Sequence, residues 1–301
     1  MPSPTGSCFE RALCGIDFSE NSRTALQYAT SIARRANGKV SAIFVNDPLL
    51  AQAAAAAFDQ QSMAETTARE FQKFVTAAVG AEAALLVEQV VVVGDPAEEI
   101  KKAARTLKTD LIVLGTRGLG GAGKMFFGST TSRVLRTTEC PILAVPAVER
   151  EGGRGVPEGW PRRIVATIKP GDDMTADARA AAAIAKWFGA SLVLVSILRP
   201  AQSPLWLLSR EYGERNRTRL DDIRSRLASI VPKLDLPDVS VHVAADDVAS
   251  VIAAAALEHR TDLIVLRLMA DEGLLGDRQG SVTYRVLSSS HLPVLALSGT
   301  R

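Results

Sequence analysis

Glycines crowd one segment of the chain, Gly115-Thr-Arg-Gly-Leu-Gly-Gly-Ala-Gly-Lys-Met-Phe-Phe-Gly-Ser-Thr130, which ends on the hydroxyls of Ser129, Thr130 and Thr131. Peptide N–H groups approach an anion closely where no side chain intervenes. A helix starting at Ser129 adds unsatisfied donors and the positive end of its dipole. The chemistry this composition points to is phosphate binding. Arg117 and Lys124 supply charge nearby, and both residue types also fit an ordinary solvated surface. Upstream, Gly15-Ile16-Asp17-Phe18-Ser19 closes a short apolar run with side-chain oxygens suited to capping a helix.

Two phosphate-site patterns overlap in the loop. Gly118-Leu-Gly-Gly-Ala-Gly-Lys124-Met125 follows a P-loop except at its last position, where Met125 stands in place of the hydroxyl that would hold Mg2+. A P-loop also follows the first strand of its unit, whereas this loop follows the fourth. The pattern that fits is G-x2-G-x9-G-[ST], filled by Gly115, Gly118, Gly128 and Ser129.

The elements around the loop set its position. Ala12 to Ile16 reads as a strand, Ala25 to Arg35 as a helix stopped by Asn37-Gly38, and Val40 to Val45 as a buried strand. An alanine-rich helical stretch spans about Leu49 to Val79, with Ala51 to Ala57 as one of its faces. Val90 to Val93 is the next strand, and Pro96-Ala-Glu-Glu-Ile100 opens a helix with acidic residues in its favourable first turn. The strand Leu111 to Leu114 leads into the loop, and Ile142 to Val145 closes the set. Short apolar strands alternating with helices predict a mostly parallel sheet covered on both faces. The loop then leaves the carboxyl end of a strand, where ligands bind in open α/β sheets.

The whole pattern is written twice. Thr109-Asp-Leu-Ile-Val-Leu114 recurs as Thr261-Asp-Leu-Ile-Val-Leu266, an offset of 261 − 109 = 152. Over residues 109–145 the offset gives 16 identities in 37 positions, where roughly two arise by chance. Glu149 to Pro161 is rich in Gly, Pro and charge. The expected domains are therefore residues 1–148 and 162–301, joined by a linker at 149–161.

At 301 residues, 47% hydrophobic and 23% charged, with a net charge of +2, the chain has material for two cores and no basic footprint for nucleic acid. No apolar run reaches the ~20 residues of a membrane span or forms a signal-peptide core. Cys8, Cys14 and Cys140 form neither a CxxC pair nor a disulfide framework, and Cys14 and Cys140 read as buried small hydrophobes. A reducing cytoplasm is the expected location. His242, His259 and His291 lie at no metal or catalytic spacing and receive no role, and Trp206 reads as packing.

The four-part glycine pattern, the Gly15-Ile-Asp17-Phe-Ser19 opening, Val91-Val-Val-Gly-Asp-Pro-Ala-Glu-Glu-Ile100 and the closing Cys140-Pro-Ile-Leu-Ala-Val-Pro146 together resemble the universal stress protein family, and its nucleotide-binding branch in particular. The resemblance covers both copies. It implies two tandem Rossmann-like domains of the adenine nucleotide alpha hydrolase type, each with a mostly parallel five-stranded sheet and helices on both faces. It implies ATP as ligand, with Mg2+ or Mn2+, although no carboxylate announces a metal site. Ile16 and Asp17 match the family's contacts to adenine and ribose, and Val45 the position whose backbone recognises adenine. Leu114, Gly115, Arg117 and Gly118 match the loop around ribose and phosphates, and Gly128, Ser129, Thr130 and Thr131 the phosphate-binding helix start. The implied partners are an adenine nucleotide and a protein partner of unknown identity, with the two domains forming an internal pseudo-dimer through their last strands and a homodimer as the wider alternative. Neither nucleic acid nor membrane is among them.

The second copy departs from this pattern. The 152-residue offset turns Gly115 into Arg267, Arg117 into Met269, Gly118 into Ala270, Asp17 into Lys169 and Ser19 into Gly171, while Gly280-Ser281 persists. Arginine fills the space a phosphate needs, and Asp271, Glu272 and Asp277 repel polyphosphate. One nucleotide per chain is expected. Three roles remain open at this level: a nucleotide-dependent stress-response module with no catalytic residue, a slow ATPase, and a scaffold that binds no nucleotide. Hydrolysis needs a group that orients water, and the sequence nominates none.

Overall fold

The computed structural model describes residues 8–49, 51–52, 60–116, 128–147, 155–198, 210–268, 285–287 and 290–298. Arg117, Gly118 and Lys124, and likewise Trp206, Met269, Ala270, Asp271, Glu272, Asp277, Gly280 and Ser281, lie outside the described residues.

Two compact units make up the fold. In the first are β1 (Arg11–Ile16), α1 (Glu20–Ala36), β2 (Lys39–Asn46), α2 (Gln60–Ala84), β3 (Val87–Val93), α3 (Pro96–Thr106), β4 (Leu111–Gly115), α4 (Ser129–Thr137) and β5 (Ile142–Val145). In the second are β6 (Arg163–Ile168), α5 (Met174–Phe188), β7 (Ser191–Ile197), α6 (Arg210–Ile230), β8 (Val239–Ala244), α7 (Val248–Glu258) and β9 (Leu263–Leu268). The last strand, β10 (Val294–Ser298), is contributed by the second copy but belongs to the first unit. Strand starts at 11, 39, 87, 111 and 142 recur at 163, 191, 239, 263 and 294, so the offset of 152 holds for every strand without a gap.

In the first unit the strand order is β3-β2-β1-β4-β5-β10. Four of its pairings are parallel, and β10 runs antiparallel to β5 with Leu295 opposite Leu143. The second unit's order is β9-β6-β7-β8, all parallel. Each copy thus writes five strands, and they are shared six to four because β10 covers the apolar edge of β5. The repeated Thr-Asp-Leu-Ile-Val-Leu has a physical basis. Its Leu-Ile-Val run is fully or almost fully buried in both copies. Its aspartate ties the start of the central strand: Asp110 accepts from the N–H groups of Glu10 and Arg11, and Asp262 from those of Arg162 and Arg163.

Local signals explain the helix borders. Ser19 caps α1, Arg34 and Arg35 sit in its last turn, and Asn37 ends it in the left-handed conformation. Gly38 follows because a Cβ there would lie 2.1 Å from the carbonyl oxygen of Glu10. Two borders differ from the sequence expectation. The second helix runs on to Ala84, bending where Gly80 takes φ 82°. The third strand starts at Val87 rather than Val90 because β3 is the outer strand of its sheet, where Glu88 can face water.

Candidate functional site

From β1 the first unit's sheet grows one way through β2 and β3, and the other way through β4 and β5. The crevice between β1 and β4 is therefore the topological switch point, where the two crossovers part and leave room for a ligand at the carboxyl ends of the strands. The sequence-nominated residues collect there as far as they are described, Arg117 and Gly118 lying outside the described residues. Ile16 ends β1 and Gly115 ends β4; the parallel register that sets Cys14 beside Val113 carries on two places to set Ile16 across from Gly115. Ile16 pairs with Phe44, so Val45 lies one step further along the same edge, beside Asp17. Leu114 and Ile16 are buried and Val45 is half-buried.

Asp17 and Ser19 form a tight turn. Oδ1 of Asp17 accepts from the Ser19 N–H at 3.0 Å and from its hydroxyl at 2.5 Å. Ser19 Oγ accepts in turn from the Ser22 N–H at 3.2 Å. Ser19 is thus the helix cap and Asp17 is the group that orients it. Between them Phe18 takes φ 60°, a conformation that strains a bulky residue by roughly 1–3 kcal/mol. Its ring is held edge-on by Phe44, Phe71 and Phe74 at centroid distances of 4.7, 5.7 and 5.3 Å. This aromatic cluster fixes the turn that presents Asp17, and sequence reasoning missed it because the four phenylalanines come from three separate elements.

The glycine loop is anchored at both ends. The Gly128 N–H donates to the Thr116 carbonyl at 2.7 Å, and the Thr131 hydroxyl donates to the Gly115 carbonyl at 2.8 Å. Thr131 is buried, so its hydroxyl holds the loop base, while Ser129 is exposed and Thr130 half-buried. Gly128 is the N-cap of α4 and gives its first turn no side-chain hydrogen bond. Gly115 has a packing reason of its own, since a Cβ would lie 3.2 Å from the backbone of Asn21. Arg133, one turn into α4, donates to Asp95, the cap of α3, at 2.6 Å. That hydrogen bond holds the Asp95 carboxyl below its ordinary range.

In the second unit an ion pair stands at the corresponding crevice, between β6 and β9. Arg267 stands where the first copy has Gly115, and its guanidinium pairs with the buried carboxylate of Asp177 on α5. Arg226 donates to the carbonyl of Gly171, the residue matching Ser19. The ion pair between the helix cap and the following helix persists as Arg285 with Asp247 at 2.7 Å.

Residues 9–146 and 161–298 match the sequence pattern of the universal stress protein family. The chain belongs to the universal stress protein family. A universal stress protein of Mycolicibacterium smegmatis is 24% identical over 305 residues, covering 95% of this chain and 96% of its own length. One of Methanocaldococcus jannaschii is 30% identical over 146 residues, 48% of this chain and 85% of that protein. A universal stress protein structure from Archaeoglobus fulgidus superposes with a TM-score of 0.64 at 19% identity, covering 97% of each chain, which supports the fold. Among the described residues, no helix is long and apolar enough to cross a membrane.

One group was not legible from spacing. His242, Glu258 and His259 lie on β8 and at the end of α7, and the fold brings one donor atom of each within 4.8 Å of the others. The signal that could have found them is the repeat itself, since the offset maps them onto Val90, Thr106 and Leu107, where the first copy has no metal donor.

Proposed function

We propose that this universal stress protein binds one adenine nucleotide, ATP with Mg2+ or Mn2+, in its first domain and acts as a nucleotide-dependent stress-response module. The observation that carries the reading is the convergence of Asp17, Gly115 and the glycine-capped start of α4 on the switch point between β1 and β4. Ile16, Asp17, Val45 and Leu114 receive the adenosine end. The backbone N–H groups of Gly115, Gly118, Gly128 and Ser129, with the Ser129 and Thr130 hydroxyls and Arg117, receive the phosphates. The donor set suits an anion, and a divalent cation would add charge balance between phosphate oxygens; the first domain's own groups orient and enclose the nucleotide.

In this reading the domains are residues 1–148 and 162–301, joined by 149–161, and the second binds no ATP because the Arg267–Asp177 pair stands in the corresponding crevice. The assignment of β10 to the first unit supports treating the second domain as the first one's built-in partner. Three free thiols suit a reducing cytoplasm. Calorimetric titration of the full chain with ATP and Mg2+ tests the reading, with parallel measurement of released ADP. About one nucleotide bound per chain supports it. No binding, or two equivalent sites, overturns it.

A further inference from the structure

His242, Glu258 and His259 form a cluster in the second unit that no part of the nucleotide reading uses. Glu258 is the last residue of α7 and His259 its C-terminal cap, so both sit at the negative end of that helix dipole, where a cation is favoured. His242 reaches them from β8, the outer strand of its sheet. Its Nδ1 lies 3.8 Å from Oε2 of Glu258. The two imidazole rings stand 5.9 Å apart at 90°, edge against face rather than stacked. The decisive observation is on His259: its Nε2 is buried without a hydrogen-bond partner among the described residues. A buried ring nitrogen left unpaired is costly, and a bound cation would satisfy it.

We propose that these three residues bind one divalent transition-metal ion of the zinc class, with water completing the coordination on the exposed side of Glu258. Two imidazoles and one carboxylate make a nitrogen-rich donor set suited to zinc and its neighbours, whereas Ca2+ and Mg2+ select all-oxygen sites. Tetrahedral zinc with ligand bonds of about 2.0–2.1 Å sets its donors about 3.3 Å apart. The present separations, 3.8 Å for His242 and Glu258 and all within 4.8 Å, close by small side-chain rotations. Glu258, with 63% of its side chain exposed, is free to make most of that movement. The nearby cation Arg163 is directed elsewhere: its Nη1 donates to the backbone carbonyl of His259 and its Nε to Ser191, leaving the imidazole to the metal. The ion would tie the edge strand β8 to the end of α7. The first copy, with Val90, Thr106 and Leu107 at these places, has no such clamp.

The test is titration of the untagged, chelator-stripped full chain with ZnCl2 by calorimetry and equilibrium dialysis, with Mg2+ and Ca2+ as competitors. One Zn2+ per chain is expected, unaffected by Mg2+ or Ca2+. Affinity should fall at least about tenfold in His242→Ala, His259→Ala and Glu258→Gln, and stay unchanged in His291→Ala. Glu258→Gln alters an exposed side chain and keeps its shape, so it remains informative if a histidine variant misfolds. Absence of zinc binding, or binding of equal strength in Glu258→Gln, overturns the proposal. Neither result bears on ATP binding in the first domain.

Discussion

At the end of β4 the first copy places Gly115 against Asn21, with a fully buried Ala25 one turn further along α1. At the end of β9 the second copy places Arg267, with Asp177 at the position of Ala25. The two changes are 90 residues apart in sequence and meet in one ion pair. Either alone would leave a buried charge uncompensated; together they fill a crevice without disturbing the strands around it. The scaffold is therefore separable from what occupies its switch point. Elements that hold the scaffold, such as Asp110 and Asp262 at the central strands or Arg133 and Arg285 at the helix caps, recur in both copies. Those facing the crevice diverge.

The largest effect expected from breaking this comparison is in the second unit. Asp177→Ala strands the Arg267 guanidinium and should lower stability by about 3 kcal/mol, while Asp177→Ala with Arg267→Gly recovers most of it, as measured by denaturant unfolding. Next comes the transplant. Gly115→Arg should abolish ATP binding by at least about 100-fold, or roughly 2.7 kcal/mol, and lower the melting temperature. Adding Ala25→Asp should restore the melting temperature and leave binding lost, which separates filling from folding. A smaller effect concerns the shared cap. Arg133→Ala should cost little in denaturant unfolding, because the pair with Asp95 is half-exposed, and Arg285→Ala should match it.

The smallest effect is a pH dependence. Asp95 and Asp247 have folded-state carboxyls held below the ordinary value of 3.8, first by the hydrogen bonds from Arg133 and Arg285. A depressed folded value means their contribution is complete above about pH 4 and lost as pH falls through the lowered values. Melting temperatures followed from about pH 6 to about pH 2 should fall less steeply in Asp95→Asn with Asp247→Asn than in the parent chain. The thiols give a plain check on burial. Desolvation raises Cys14 and pushes Cys140 up to about 12, so neither should alkylate at pH 8 until the chain unfolds.

The repeat, the strand order of types and the convergence of Asp17 with Gly115 were legible because buried strands write continuous apolar runs and turns write glycine, asparagine and aspartate. Three things were not. Phe18 earns its strained conformation only from rings far away in the chain. The polar start of β3 stands outside the apolar run Val90 to Val93 until its outer position is known. His242 and His259 look isolated because a strand and a helix end bring them together across 17 residues of sequence. Spacing rules capture ligands on one helix and miss those assembled between elements.

The place of β10 beside β5 has a consequence for synthesis. The partner strand begins at Val294, 294 − 145 = 149 residues after β5 ends. At about 5–20 residues per second on the ribosome, that is roughly 7 to 30 s. Throughout that interval the earlier half of the nascent polypeptide carries an open, wholly apolar Ile-Leu-Ala-Val border, and its sheet reaches full width only once β10 has been made.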